Sequence, residues 1–184
     1  MIDHDRLFKE LITTFFAEFV ELLLPELAAY LDIAGIEFLD KEVFIDVTEG
    51  DRLEADVVAK VRFRSQDSFF LVHVENQAQA QPEFPRRMFR YFARLFERHG
   101  LPVYPVAVFS HGAGRVEGAE HVVNFPDLEV LRFRFRSIQL RRLAWRDYVR
   151  QANPVAAALM SRMNIGLAER PLVKLECLRL LTGL

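Results

Sequence analysis

The sequence predicts an α/β domain with a mixed sheet, and three observations predict it. Two stretches, residues 5–24 and 83–99, carry apolar residues at the 3–4 spacing of a helix face. Between them, from residue 36 to residue 77, the period switches to two, interrupted by short turns. Beyond the second helix a further apolar run, residues 101–110, reads as another strand. Strands separated only by turns imply an antiparallel meander, whereas a helix between strands implies a crossover to a parallel neighbour.

Each element has its own signal. In residues 5–24, Leu7, Phe8, Leu11, Ile12, Phe15, Phe16, Phe19, Leu22 and Leu23 form one broad apolar face, and Pro25 marks the expected end. Residues 42–47 read as a strand and residues 48–51 as a turn. From Leu53 to Phe63, Ala55, Val57, Ala59, Val61 and Phe63 share one face, opposite Glu54, Asp56, Val58, Lys60 and Arg62. A turn at residues 64–67 leads into residues 68–77, apolar enough for a central strand covered on both sides. Helix 83–99 presents Phe84, Met88, Tyr91, Phe92, Leu95 and Phe96 to the core. A loop is expected at 111–118, short strands at 122–125 and 128–136, a helix opening at Pro154, and a last amphipathic helix over 171–184.

Composition narrows the function classes. The 184 residues suit one domain, read as a unit of 1–150 with a helical extension, 151–184, packed on it. The chain is 51% hydrophobic, too much for a disordered chain. One cysteine, Cys177, excludes an intramolecular disulfide framework and a multi-cysteine zinc site. The opening MIDHDRLFKE lacks the pattern of a secretory leader, and the expectation is a cytoplasmic protein without a membrane anchor. Of the 24 basic residues 20 are arginine, the side chain suited to bidentate contact with phosphate or carboxylate. Residues 1–60 carry 15 acids and 5 bases, leaving 11 acids and 19 bases for residues 61–184. That polarity fits an acidic site beside a basic surface, or mutual neutralisation within one domain.

The sharpest lead is the hairpin at 53–77. A turn centred between Ser65 and Gln66 pairs residues whose numbers sum to 131, so Asp56 lies opposite Glu75 and Glu54 opposite Gln77. Two carboxylates directly across a strand pair repel each other. Glu75 also follows the apolar run FFLVHV, where its burial is costly. A divalent ion offsets both costs, and Mg²⁺ is the usual partner of one or two carboxylates. The competing reading is that each acid is solvated or paired with an arginine.

Asp56 followed about twenty residues later by Glu75-Asn76-Gln77 resembles the D…ExK signature of the PD-(D/E)XK nuclease superfamily, with Gln77 in the lysine place. HDRLFKEL at 4–11, EADVVAK at 54–60, HVENQAQ at 73–79 and FPRRMFRYFARL at 84–95 resemble the recombination-promoting nuclease, or YhgA-like transposase, family. The resemblance spans about residues 3–150. It implies a restriction-endonuclease-like mixed sheet with an αβββαβ core flanked by helices, plus additional C-terminal helices. It also implies a DNA endonuclease, acting in recombination or transposition, that depends on Mg²⁺ or alternatively Mn²⁺. Asp56, Glu75 and the Asn76 carbonyl would then hold the metal and Gln77 would orient the attacking water. A glutamine carries no charge, so Lys60 or a nearby arginine would supply it, and Glu10 would complete the site. Arg87 and Tyr91 correspond to recurrent site-proximal positions of that family. The alternative is a nuclease-fold protein of weak or lost catalysis that binds DNA or another protein; a homodimer is left open.

The remaining features read both ways. Arg86, Arg87, Arg90, Arg94 and Arg98 lie opposite the apolar stripe of helix 83–99, as a phosphate-binding ridge (Arg87, Arg90 and Arg94 above all) or as an ordinary solvated face. Arg132, Arg134 and Arg136 alternate with inward Phe133 and Phe135, and protection of a sheet edge is the favoured reading. His73 shares the strand face of Glu75, as a proton shuttle, a ligand or, by the favoured reading, a satisfied core residue.

Overall fold

Five strands form the main sheet in the order β1 (Leu31–Phe38), β4 (Val57–Phe63), β5 (Phe69–Gln77), β6 (Val103–Phe109) and β9 (Arg136–Gln139). The structure, a computed structural model, describes residues 4–39, 43–45, 52–111 and 118–182. β1, β4 and β5 are antiparallel; β5, β6 and β9 are parallel. The crossover from β5 to β6 runs through helix α4 (Phe84–His99), as a parallel pair requires. Gly100, at φ 62°, closes α4 in the left-handed conformation that glycine adopts without steric cost. With helix α1 (His4–Thr14) preceding the sheet, this is the restriction-endonuclease-like αβββαβ arrangement.

Both faces are covered. Val57, Ala59 and Val61 of β4, and Phe70, Val72 and Val74 of β5, join Phe8 and Ile12 of α1. The same cluster includes Phe16, Phe19 and Val20 of helix α2 (Phe16–Leu23) and Val155 and Leu159 of helix α5 (Pro154–Leu159). It extends to Val173 of helix α6 (Arg170–Thr182). On the opposite face Val58 and Leu71 meet Phe84, Met88, Tyr91 and Leu95 of α4. Phe133, from the hairpin of β7 (Glu120–Asn124) and β8 (Glu129–Arg134), and Phe135 complete that second cluster. The two-residue period of β4 and β5 thus sorts their side chains between two cores.

Four expectations are corrected. The helix expected over 5–24 is broken at Phe15 (φ −123°, ψ 44°). Just before it, Thr13 Oγ1 bonds back to the carbonyls of Lys9 (2.8 Å) and Glu10 (3.2 Å), a contact that bends helices. Pro25 ends α2 by forcing Leu24 out of helical conformation, but it also opens a further turn, α3 (Pro25–Ala28), at whose start a proline is at home. The first meander strand is β1, not residues 42–47. β1 is an edge strand with a bulge between Asp32 and Glu37 and little apolar periodicity, so its pattern is faint. Finally, the strand read over 53–63 is two strands: β3 (Arg52–Glu54) leaves the main sheet to pair with β2 (Val43–Ile45). Glu54 therefore lies opposite Val43, and Gln77 opposite Phe109. The expected turn at 48–51 and most of the expected loop at 111–118 lie outside the described residues.

Candidate metal and nuclease site

The site forms where the β4–β5 ladder stops. Pairing runs from Arg62↔Phe69 to Val57↔Val74, partners summing to 131, the register that the turn predicts. One step further, the chain bends at Asp56 and turns away into β3, leaving two main-chain donors without a ladder partner. The acidic side chains take them. Asp56 N–H donates to Glu75 Oε1 (2.9 Å), and Asn76 N–H donates to Asp56 Oδ2 (2.8 Å).

Strand parity explains the orientation of each group. Glu75 and Gln77 continue the row of Leu71 and His73 toward α4. Gln77 accepts the hydrogen bond of Ser110 N–H (3.1 Å) on the β6 side. The main-chain groups of Asn76 therefore point to the β4 side, toward Asp56. Its side chain lies on the α1 face, where its Nδ2 donates to Asp5 Oδ1 (3.3 Å).

A buried and a partly buried carboxyl group meet here. Glu75 is 3% exposed and lies against His73, which is fully buried, with Nε2 2.9 Å from Oε1. In the tautomer protonated at Nε2 the ring donates to this carboxyl oxygen. The His73 ring stands edge-on to Tyr91, centroids 5.1 Å apart. Asp56 is held at Oδ1 by the Lys9 ammonium (3.2 Å). Burial, and then the charge of Glu75, push the Asp56 carboxyl up to about 6, against the opposing pull of the Asn76 N–H and of Lys9. Beside Asn76 a groove of about 480 Å³ opens between α1 and α5, lined by Leu7, Phe8, Leu11, Ser110, Leu159 and Arg162 among others.

The elevated carboxyl has a sign that can be checked. Protons bind Asp56 more tightly in the fold than in the unfolded chain, so its contribution to stability is full below pH 3.8. That contribution is lost as pH rises through about 6. Any activity that needs Asp56 ionised runs the other way. It should climb about tenfold per pH unit below 6 and level off above, and the midpoint should move to lower pH as a competing divalent ion is raised. Plasmid-nicking rates from pH 5 to 8 at two Mg²⁺ concentrations check this; a flat profile would contradict it.

The other expected site residues are distributed unevenly. Gln77, 4% exposed, accepts from Arg87 at Oε1 (2.7 Å) and donates through Nε2 to the Gln79 carbonyl (2.5 Å). Arg87 also bonds to Gln81 and lies over the Phe84 ring at 5.0 Å, so it leaves the solvated ridge to brace Gln77. Tyr91, 4% exposed, is a core residue beside His73 rather than a surface contact. Arg90 is half-buried; Arg86 and Arg94 are exposed, 3.8 Å from Glu83 and Glu97. Lys60 is not brought to the carboxylates: it pairs with Glu37 at 3.2 Å and covers Phe69. Glu10 is not brought there either; it pairs with Arg6 at 2.9 Å on the outer face of α1. The residues of α1 that do reach the site are Asp5 and Lys9, one turn apart and on one face. Arg132, Arg134 and Arg136 pair with Glu129, Glu120 and Glu26, in keeping with the structural reading of that strand face.

Among the described residues no three His, Cys, Asp or Glu side chains converge into a cage that could hold a metal. None of the helices is long and apolar enough to cross a membrane, again among the described residues. Comparison with curated proteins and with solved structures finds no match. A family model described as "Putative transposase, YhgA-like" matches residues 2–115, a span that holds α1, the β4–β5 pair with Asp56, Glu75 and Gln77, and α4. The chain belongs to that YhgA-like transposase family.

Proposed function

We propose that the protein hydrolyses phosphodiester bonds of DNA with the help of a divalent metal ion, Mg²⁺ or Mn²⁺, held by Asp56 and Glu75. The observation that carries this reading is the convergence of a buried and a partly buried carboxyl group at one strand end, with Asp56 pushed up to about 6 partly by the charge of Glu75. Membership of a family described by transposition supports DNA as the substrate.

The donor set suits a hard cation. Glu75 Oε2 takes no hydrogen bond among the described residues, Asp56 Oδ1 meets only the exchangeable charge of Lys9, and the Asn76 main-chain carbonyl faces the same edge. Two carboxylates and a carbonyl leave room for water and a substrate phosphate, as Mg²⁺ requires and a caged zinc does not. When bound, the ion polarises a phosphoryl oxygen and lowers the pKa of a water. The protein's own groups do the rest. His73 and the Asp56 N–H hold Glu75 Oε1, which leaves Oε2 for the ion. Arg87 clamps Gln77, whose amide is engaged at both ends and carries no charge. Arg90 and Arg94 of α4 hold backbone phosphates.

Nicking of supercoiled plasmid tests this reading. The wild type should nick only with Mg²⁺ or Mn²⁺, and Asp56→Ala should not nick. Equal nicking by both would place the activity elsewhere. DNA binding without cleavage would favour a binding module, in which the two carboxylates serve only to cap the ladder end.

A further inference from the structure

The D…ExQ arrangement lacks a cation at the Gln77 position, and the structure shows one arriving from a different element. Lys9, on α1, places its ammonium 3.2 Å from Asp56 Oδ1, with its side chain 29% exposed. Its neighbours on the helix hold it in place. Phe8 and Ile12, its neighbours on α1, are buried in the core beneath the sheet, at 8% and 0% exposure. One turn earlier, Asp5 is tied to Asn76. The helix is therefore anchored on both sides of Lys9. Meanwhile Gln77 has both ends of its amide engaged, by Arg87 and by the Gln79 carbonyl, and Lys60 is held by Glu37.

Resting on the nuclease reading above, we infer that Lys9 is the substrate-contacting cation of this site: its ammonium moves from Asp56 to a non-bridging oxygen of the scissile phosphate. In the reaction the water oxygen bonds to phosphorus and one P–O ester bond breaks. One hydrogen of that water ends on the leaving alkoxide oxygen, and the other is lost to solvent as the new phosphomonoester ionises. Lys9 gains and loses no proton. It offsets the extra negative charge on the phosphoryl oxygens as that charge develops, the role of a preorganised donor. A metal held by Asp56 would compete with the Lys9 ammonium for Oδ1.

The test compares wild type, Lys9→Met and Lys9→Arg by plasmid nicking and by thermal melting with and without Mg²⁺. Lys9→Met should nick about a hundredfold more slowly, and Lys9→Arg should recover most of the rate. Lys9→Met should keep its Mg²⁺-induced rise in Tm, at equal or lower Mg²⁺ concentration, because no ammonium competes for Asp56. Three outcomes would overturn the inference while leaving the nuclease reading intact: a folded Lys9→Met that nicks like wild type, an arginine variant as slow as the methionine one, or loss of the Mg²⁺ response together with nicking in Lys9→Met. A wild type that neither nicks nor responds to Mg²⁺ would overturn both, and it would show before any Lys9 variant is made.

Discussion

Replacing Asp56 by asparagine should abolish Mg²⁺-dependent nicking while leaving the fold as stable as before, or more so, at pH 8. The two effects have one origin. Asp56 is forced to ionise inside the fold beside Glu75, its carboxyl raised from 3.8 to about 6. That difference amounts to about 3 kcal/mol of strain at alkaline pH. An asparagine still accepts the Asn76 N–H that now reaches Asp56 Oδ2, but it carries no charge. The gain should be about 1–2 kcal/mol rather than the whole amount, because an amide –NH₂ then faces Lys9 instead of a carboxylate. For a chain of this length that is a rise of about 2–8 °C in Tm at pH 8, vanishing near pH 4, where the wild-type carboxyl is largely protonated. Addition of Mg²⁺ should raise the Tm of the wild type and leave the variant unmoved. A marked loss of stability at pH 8 would show that the Lys9–Asp56 pair outweighs the repulsion from Glu75.

Glu75 should behave in the opposite way. Glu75→Ala removes the acceptor for two donors at once, the Asp56 N–H and His73 Nε2–H, one of them on a fully buried ring. Each orphaned donor costs about 1–3 kcal/mol, so the variant should lose about 2–6 kcal/mol and melt well below the wild type. Glu75→Gln keeps an acceptor oxygen and should lose far less. Both should fail to nick, since neither leaves a second carboxylate for the ion. The separation matters because it parts two duties of Glu75: its oxygen holds the end of the ladder, and its charge would serve the proposed metal. Urea melts at pH 7.5 distinguish them; an alanine variant as stable as wild type would mean that water replaces the lost acceptor.

These residues show how far a sequence reading reaches. The turn at residues 64–67 sets the register of the hairpin, and with it the pairing level of Asp56 and Glu75, because cross-strand partners follow from the turn centre alone. The distance along a strand is equally legible. Lys60 stands four residues from Asp56, about 13 Å of extended chain, which is too far for an ion pair with it. What the pattern does not carry is the azimuth at which α1 docks on the sheet. Lys9 and Glu10 are adjacent in sequence but 100° apart around the helix, and only the burial of Phe8 and Ile12 decides that Lys9 faces Asp56 while Glu10 faces Arg6. The same holds for Arg87. Its place among five arginines suggests a solvated ridge, yet its position near the start of α4 lets it reach Gln77. β1 was hidden for a different reason: an edge strand with a bulge and charged partners, Asp32 to Arg62 and Glu37 to Lys60, has little apolar period to read. The bend at Asp56 was hidden too, since alternation over residues 53–63 continues through the point where β3 leaves the sheet.

The central claim is that Asp56 and Glu75 share one cation, and diffraction from crystals soaked in Mn²⁺, recorded at the manganese absorption edge, tests it most directly. The account predicts a single anomalous peak about 2.1 Å from a carboxylate oxygen of each residue, with Lys9 withdrawn from Asp56, and no peak in Asp56→Asn crystals. Manganese bound elsewhere, or an empty strand end with Lys9 still on Asp56 and His73 still on Glu75, would contradict it.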